Sequence, residues 1–350
     1  MLAQATPSAL EVSIRNGQPP PKKLSTFELA LCGATAGVVS RFAIAPLDVV
    51  KIRFQLQTDR VEPLSGLRDL MRTNSLADSG AGSRKYRGMV HAFRTILRDE
   101  GIHGLWKGNM SAEYLYLTYG AVQFSTYAEL ERQVNHLDWR LGGDVIPLPV
   151  RTFICGALAG SLATIVTYPF DLLRTRFAVQ GEQKLYRSVP GAIRHILARE
   201  GISGFYRGVW PSALSIMPYM GIMFESHRWF KTAFEPLNDI HQLHGISEVM
   251  AGFCAGVVSK AAVMPFDVVR KRLQVQGPDR HNYMMSNLPK YPPTWIGCAR
   301  VIASQEGILG LYKGLTPAIV KAGPSAAVTF FIFGACKSWL EARHDAVATA

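Results

Sequence analysis

The sequence predicts an all-α membrane protein with six transmembrane helices, arranged as three pseudo-threefold repeats that each carry a short surface helix. Three observations lead there. A ten-residue word recurs as PLDVVKIRFQ from Pro46, PFDLLRTRFA from Pro169 and PFDVVRKRLQ from Pro265. Each copy begins thirteen residues after the first glycine of a small-xxx-small step, Gly33/Gly37, Gly156/Gly160 and Gly252/Gly256. Each is followed by a second word, EGIHGLWKG, EGISGFYRG or EGILGLYKG. Two words in fixed order, three times over, mean structural repeats of roughly a hundred residues.

The elements follow in order. From Ser25 to Pro46 the chain holds 22 mostly apolar residues, enough at ~1.5 Å each to cross a hydrocarbon core of roughly 30 Å. Pro46 would break a soluble helix, but inside a bundle neighbouring groups satisfy the freed carbonyls, so the helix bends there and runs on through Gln57. A short amphipathic stretch ends at Glu100-Gly101, and a second apolar run extends from Met110 to about Leu130. The same parse gives helices near 149–178, 209–235, 246–275 and 315–340. An insertion rich in Ser, Arg, Asp and Gly between Gln57 and Tyr86 reads as a mobile polar loop.

The repeats occupy 25–136, 149–236 and 246–341, with tails at 1–24 and 342–350, and no Gly/Ser or charged linker separates them. One integrated domain is expected. The first tail, broken by Pro19, Pro20 and Pro21, lacks the apolar core of a signal peptide and reads as disordered. Hydrophobic residues make up 48% of the chain and charged ones 18%, so charges inside the spans need a reason. A net charge of +12 suits anionic lipid or an anionic substrate. It does not argue for nucleic acid, since zinc-finger, RRM and basic-zipper spacings are missing. Five cysteines form no CxxC pair, which speaks against a metal site or a disulfide framework. The sequence has no GxSxG, HExxH, Walker A or dinucleotide fingerprint, so no enzyme chemistry is expected.

Arg41, Asp48 and Gln55 are seven apart and Lys51 is three beyond Asp48, so all four share one face of the first helix. Such a face must look into the bundle or a water-filled cavity. Lys260, Asp267 and Gln274 repeat the pattern, and Thr164, Asp171 and Ala178 repeat it with the first charge missing. Asp48, Asp171 and Asp267 with Lys51, Arg174 and Arg270 can form a ring of three inter-helix ion pairs. Such a ring acts as a gate when a bound ligand offsets the pairs that must break; the alternative is that it merely holds the bundle together. Arg41, Lys260 and Lys321 are left as cations without an acidic partner, a set that suits a multiply charged anion. Arg53, Arg176 and Arg272, nearer the surface, are expected to snorkel to lipid phosphates. Tyr116, Tyr119 and Gln123 can supply stacking, cation–π attraction and a hydrogen bond, or simple helix packing. Glu113 either reaches solvent or faces a cationic ring.

The pattern P-x-D-x-x-[KR]-x-R, then E-G-x-x-x-x-[WY]-[KR]-G, three times over, resembles the signature of the mitochondrial carrier family from about Ser25 to Leu340. Ala178 departs from it where the other repeats have Gln55 and Gln274. The resemblance implies a multi-pass protein of the mitochondrial inner membrane that works by alternating access. It implies a matrix gate pairing Asp48 with Arg174, Asp171 with Arg270 and Asp267 with Lys51, braced by Gln55 and Gln274. It implies cardiolipin at Gly108, Gly208 and Gly314, and contact points at Leu115, Ser215 and Lys321. Ser215-Ile216 with Tyr219 is similar to the pocket that nucleotide-type carriers use for a flat heterocycle. At the opposite end the family's acid–base network looks incomplete, at Ala128/Glu131, Arg228/Lys231 and Gly334/Lys337; Glu129/Arg132 and Glu225/Arg228 are the substitutes, and a weaker cytosolic lock is expected.

Within the family, the wording KIRFQLQ, YGAVQF, DLLRTRFAVQGE and KRLQVQG is most similar to the carriers of thiamine pyrophosphate. That implies thiamine pyrophosphate as cargo, exchanged for nucleotides or thiamine monophosphate, with no resident cofactor. Another phosphorylated heterocycle, an adenine nucleotide or coenzyme A, would suit the same residues, although the arginine triplet of the ADP/ATP carriers is absent. A non-transporting scaffold would have lost its cavity cations first. A site inside one bundle implies a monomer.

Overall fold

A computed structural model describes residues 26–58, 86, 88–140, 147–181, 184–236, 246–283 and 289–349. The N-terminal tail and nearly all of the insertion after Gln57 lie outside the described residues. The helices are α1 (Thr26–Leu56), α2 (Met89–Glu100), α3 (Asn109–Arg140), α4 (Leu148–Ala178) and α5 (Val189–Glu200), then α6 (Val209–Phe234), α7 (Ile246–Gln274), α8 (Trp295–Glu306) and α9 (Leu315–Thr349). α9 continues through the stretch read as a C-terminal tail. Helix is unbroken across Pro46, Pro169 and Pro265.

Among the described residues, four segments are long and apolar enough to cross a membrane: Cys32–Leu56, Val150–Ala178, Ser247–Gln274 and Ile308–Arg343. α3 and α6, at 32 and 26 residues, also have the length, and α3 is the more polar of the two. Outward-facing apolar residues such as Leu158, Leu162 and Val166 recur at helical spacing on α4 and are about half exposed, as a lipid-facing stripe should be.

By its internal contacts the chain divides into two compact units, Met1–Ala43 with Gly323–Ala350, and Ile44–Ala322. In the first, small polar residues tie α1 to α9. The Ser40 hydroxyl donates to the Ser325 carbonyl (3.2 Å), and Thr329 donates to the Ser40 hydroxyl (2.7 Å). Thr35 donates to the Cys336 sulfur (3.6 Å). Polar contacts of this kind between helices suit a setting where water is not competing.

In the second unit α3 packs on α4, α4 on α6, and α6 on α7. The surface helices seat small and branched side chains at equal positions: Ala92 and Ile96 on α2, Ala192 and Ile196 on α5, Cys298 and Ile302 on α8. Cys298 thus occupies an alanine position, and burial pushes its thiol pKa up to about 12. Each surface helix stops at the glutamate of the second word, because the next glycine turns the chain. Gly101, Gly201 and Gly307 have φ of 68°, 67° and 73° with ψ near 180°, a region essentially closed to side chains.

The two words of the repeat are joined physically, and this corrects the expectation of snorkelling arginines. Arg53, Arg176 and Arg272 are buried, at 0–1% exposure. Arg53 grips the Glu100 carboxylate with both terminal nitrogens (2.6 and 2.9 Å), Arg176 grips Glu200 (2.6 and 3.1 Å), and Arg272 grips Glu306 in the same way. The remaining Nε–H of each donates to the next repeat: Arg53 to Ala178 O (3.0 Å), Arg176 to Gln274 O (3.1 Å), Arg272 to Gln55 O (3.3 Å). Lys107, Arg207 and Lys313 of the second word pair with the same three glutamates. Lipid phosphates could not compete, since a bidentate carboxylate and a helix-end carbonyl already satisfy each guanidinium where water is excluded.

Candidate functional site

A cavity of about 300 Å³ opens in the second unit where α1, α3, α4, α7 and α9 converge. Its chemistry comes from the first word. Arg174 meets Asp48 at 2.5 Å, Arg270 meets Asp171 at 2.7 Å, and Lys51 stands 3.9 Å from Asp267. Arg174 also donates to the Tyr116 hydroxyl (3.2 Å), and Arg270 lies over the Tyr168 ring, 5.5 Å from its centroid.

Lys260 and Lys321, expected to lack acidic partners, have them. Lys260 lies two helical turns before Asp267 on one face and reaches down to its carboxylate, while Lys321 bonds Asp48. Lys271, which the sequence reading passed over, sits 3.0 Å from Asp171. Each acid therefore carries one base of the expected ring and one further lysine. Among the described lining residues there are six cations and three carboxylates, a surplus of three positive charges.

The two glutamines expected to brace the ring behave differently. Gln274 donates to Asp171 (2.5 Å) and to the Tyr168 hydroxyl (3.1 Å), while its oxygen accepts from Thr175 (2.6 Å). Gln55 is equally buried but neither atom of its carboxamide has a hydrogen-bond partner. The reason lies in the facing repeat: Met264 stands where Tyr168 does relative to the proline, and Lys271, in the place of Thr175, is turned to Asp171.

Tyr116, Tyr119 and Leu115 line the cavity together with Thr164 and Thr167. Ser215, Ile216 and Tyr219 do not: Ser215 donates to the Ser212 carbonyl (2.7 Å), and Ile216 faces Gly160 of α4. Gln123 lines a separate, mostly apolar cavity with Tyr127, Phe153 and Met220. Arg41 belongs to the first unit and is not among the lining residues. Glu113, in the first turns of α3, lies 3.5 Å from the Asn109 amide.

Gly108, Gly208 and Gly314 open α3, α6 and α9 with φ of 84°, 81° and 83°. A Cβ at Gly108 would sit 2.6 Å from the Arg174 carbonyl, one at Gly208 3.1 Å from that of Arg270, and one at Gly314 3.3 Å from that of Lys51. The starts of α3, α6 and α9 therefore lie directly on the backbone of Arg174, Arg270 and Lys51 respectively. At the other end, Glu129–Arg132 (3.2 Å) and Glu225–Arg228 (2.8 Å) are exposed pairs three residues apart on one helix, and do not join helices as the suggested substitutes would. Lys231 does cross, from α6 to Glu248 of α7.

A sequence profile described as "Mitochondrial carrier protein" matches residues 22–137, 147–237 and 241–344. The chain belongs to the mitochondrial carrier family. It is a multi-pass inner-membrane carrier and not an enzyme. This carrier is 43% identical to "Mitochondrial thiamine pyrophosphate carrier 1" of Coccidioides immitis (strain RS) over 309 residues, covering 88% of this chain and 91% of the relative. The protein of the same name from Ajellomyces capsulatus (strain NAm1 / WU24) is 43% identical over 308 residues, covering 88% and 89%. That from Neurospora crassa is 42% identical over 309 residues, covering 88% and 90%.

Proposed function

We propose that this carrier moves thiamine pyrophosphate into the matrix by alternating access, in exchange for nucleotides or thiamine monophosphate. The observation that carries the reading is the surplus of three positive charges in a cavity that also presents Tyr116 and Tyr119. A pyrophosphate is drawn to the lysines, and the thiazolium to a tyrosine face. The names of the relatives point to the same cargo.

Asp48, Asp171 and Asp267 with Lys51, Arg174 and Arg270 act as the matrix gate, with Gln274 as its brace. Breaking three partly buried ion pairs is costly unless new bonds form at the same time, so an empty carrier stays shut and a loaded one can open. Arg41, Ser215, Ile216, Tyr219 and Gln123 would touch cargo only in another state of the cycle. The carrier works as a monomer, because the cavity is built by one chain. Cardiolipin binds at the starts of α3, α6 and α9, at Gly108, Gly208 and Gly314. In support, a cavity of about 320 Å³ beside Gly208 is lined by Arg207, Arg280 and Lys290, which suit a phosphate at a helix N-terminus.

The test is uptake of labelled thiamine pyrophosphate by liposomes containing the purified carrier and cardiolipin, loaded with unlabelled substrate or with buffer. Saturable uptake that disappears in Lys321→Ala is the expected result. No uptake alongside brisk ATP or coenzyme A exchange would overturn the cargo.

A further inference from the structure

We propose that Lys271 is a phosphate-binding lysine that sets the carrier's preference for a pyrophosphate over a monophosphate. The inference rests on the cargo class argued above and adds a residue from α7 that the gate does not require.

Six positions beyond the proline, the three repeats have Ile52, Thr175 and Lys271. Only the third repeat places a cation there. Lys271 lines the cavity, with its ammonium 3.0 and 3.2 Å from the two Asp171 oxygens, 2.8 Å from the Thr175 hydroxyl and 3.1 Å from the Gln274 oxygen. Asp171 does not depend on it. Arg270 already meets that carboxylate at 2.7 Å, and the Gln274 amide donates to it at 2.5 Å. Lys271 is therefore the one partner that can leave Asp171 while the gate pair and its brace stay intact.

Lys321 on Asp48 and Lys260 on Asp267 hold the matching places beside the other two acids. A lysine ammonium is a compact charge on a flexible stem, suited to swing from a carboxylate to a nearby phosphate oxygen. Three such lysines, one per gate acid, match the three negative charges of a pyrophosphate monoester. A monophosphate, with a charge of about −2, is matched by two. The third lysine is then the one that discriminates, and Lys271 is the increment because its acid keeps both a paired arginine and the Gln274 amide when the lysine leaves.

The experiment measures ligand-induced thermal stabilisation of the purified full-length carrier in detergent with cardiolipin. The ligands are thiamine pyrophosphate, thiamine monophosphate, inorganic pyrophosphate and inorganic phosphate, each titrated against the parent, Lys271→Thr, Lys271→Gln and Lys271→Arg. Lys271→Thr installs the residue the second repeat already accommodates, and Lys271→Gln is the second neutral variant should that one not fold. Loss of one charge-assisted bond predicts an affinity for both pyrophosphate compounds lower by about tenfold or more. The monophosphates should change by less than about twofold, and Lys271→Arg should restore the difference. Equal loss for pyrophosphates and monophosphates, or no loss, would overturn the assignment. Thiamine pyrophosphate binding parent and neutral variant alike removes Lys271 and leaves the cargo standing. Inorganic pyrophosphate stabilising the parent but not Lys271→Thr, with no response to thiamine pyrophosphate, removes the cargo and keeps the lysine. No response of the parent to any of the four anions overturns both.

Discussion

Replacing Glu200 by glutamine should destabilise the protein far more than replacing any exposed acid. Arg176 and Glu200 are each 1% exposed, and Glu200→Gln leaves the guanidinium buried with no counter-charge, held only by neutral oxygens, that of the new amide and the Gln274 and Gln276 carbonyls. Removing one partner of a buried pair costs ~3–5 kcal/mol. With an unfolding entropy of about 2.1 cal/mol/K per residue over the 350-residue chain, the melting midpoint should fall on the order of 4–7 °C. The assay is thermal unfolding in one detergent at one scan rate, since unfolding of such proteins is often irreversible. Two controls sharpen it. Glu225→Gln breaks an exposed pair and should move the midpoint by about 1 °C or less. Arg176→Met with Glu200→Met removes both charges, leaves the more exposed Arg207 to solvent, and should cost less than the two single changes added together. A midpoint for Glu200→Gln within about 1 °C of the parent, or strict additivity in the double variant, would refute the buried clamp.

Gly108→Ala should slow transport and lower the melting midpoint, because its Cβ would meet the Arg174 carbonyl at 2.6 Å and its φ of 84° is strained for alanine. Gly88→Ala, with nothing within 4 Å, is the control and should transport at the parental rate. Acid should loosen the first clamp. Burial alone would raise the Glu100 pKa, but the hydrogen bonds and charges of Arg53 and Lys107 outweigh it and hold it below the ordinary glutamate value. A depressed folded-state pKa contributes stability that is present above about pH 4.5 and lost as pH falls through the folded value. The gap in melting midpoint between parent and Glu100→Gln should therefore be full at pH 7 and narrow progressively below that point.

The fold was legible because its signals are local and repeated. The helix spans, the surface helices ending at Glu100, Glu200 and Glu306, and the family all follow from spacing along one chain. The charged face carrying Asp48, Asp171 and Asp267 was legible for the same reason. What was not legible was which partner each charge takes. The snorkelling expectation for Arg53, Arg176 and Arg272 failed because the glutamates that bury them lie 24 to 47 residues on. Their constant place in the second word was the available signal. Lys260 and Lys321 seemed without acids because no acid lies at their own depth, whereas Lys260 reaches two turns along its helix to Asp267 and Lys321 reaches across to Asp48. Gln55 and Gln274 are alike in sequence; the difference between them is set by Met264 and Tyr168 in the facing repeats. Ser215 was itself an expected contact point, with Ile216 and Tyr219 beside it on α6, but facing depends on helix rotation, which a count of residues does not fix.

The arginine bonds to the carbonyls of Ala178, Gln274 and Gln55 run from the first repeat to the second, the second to the third, and the third back to the first. Peptide bonds cross only two of those three seams. The third is held without any covalent crossing by the same donor and acceptor that serve the others. At that seam the arginine and its carbonyl make the contact with no peptide link beside them. At the other two the same bond lies beside a link, so it is the bond, and not the link, that the three seams have in common.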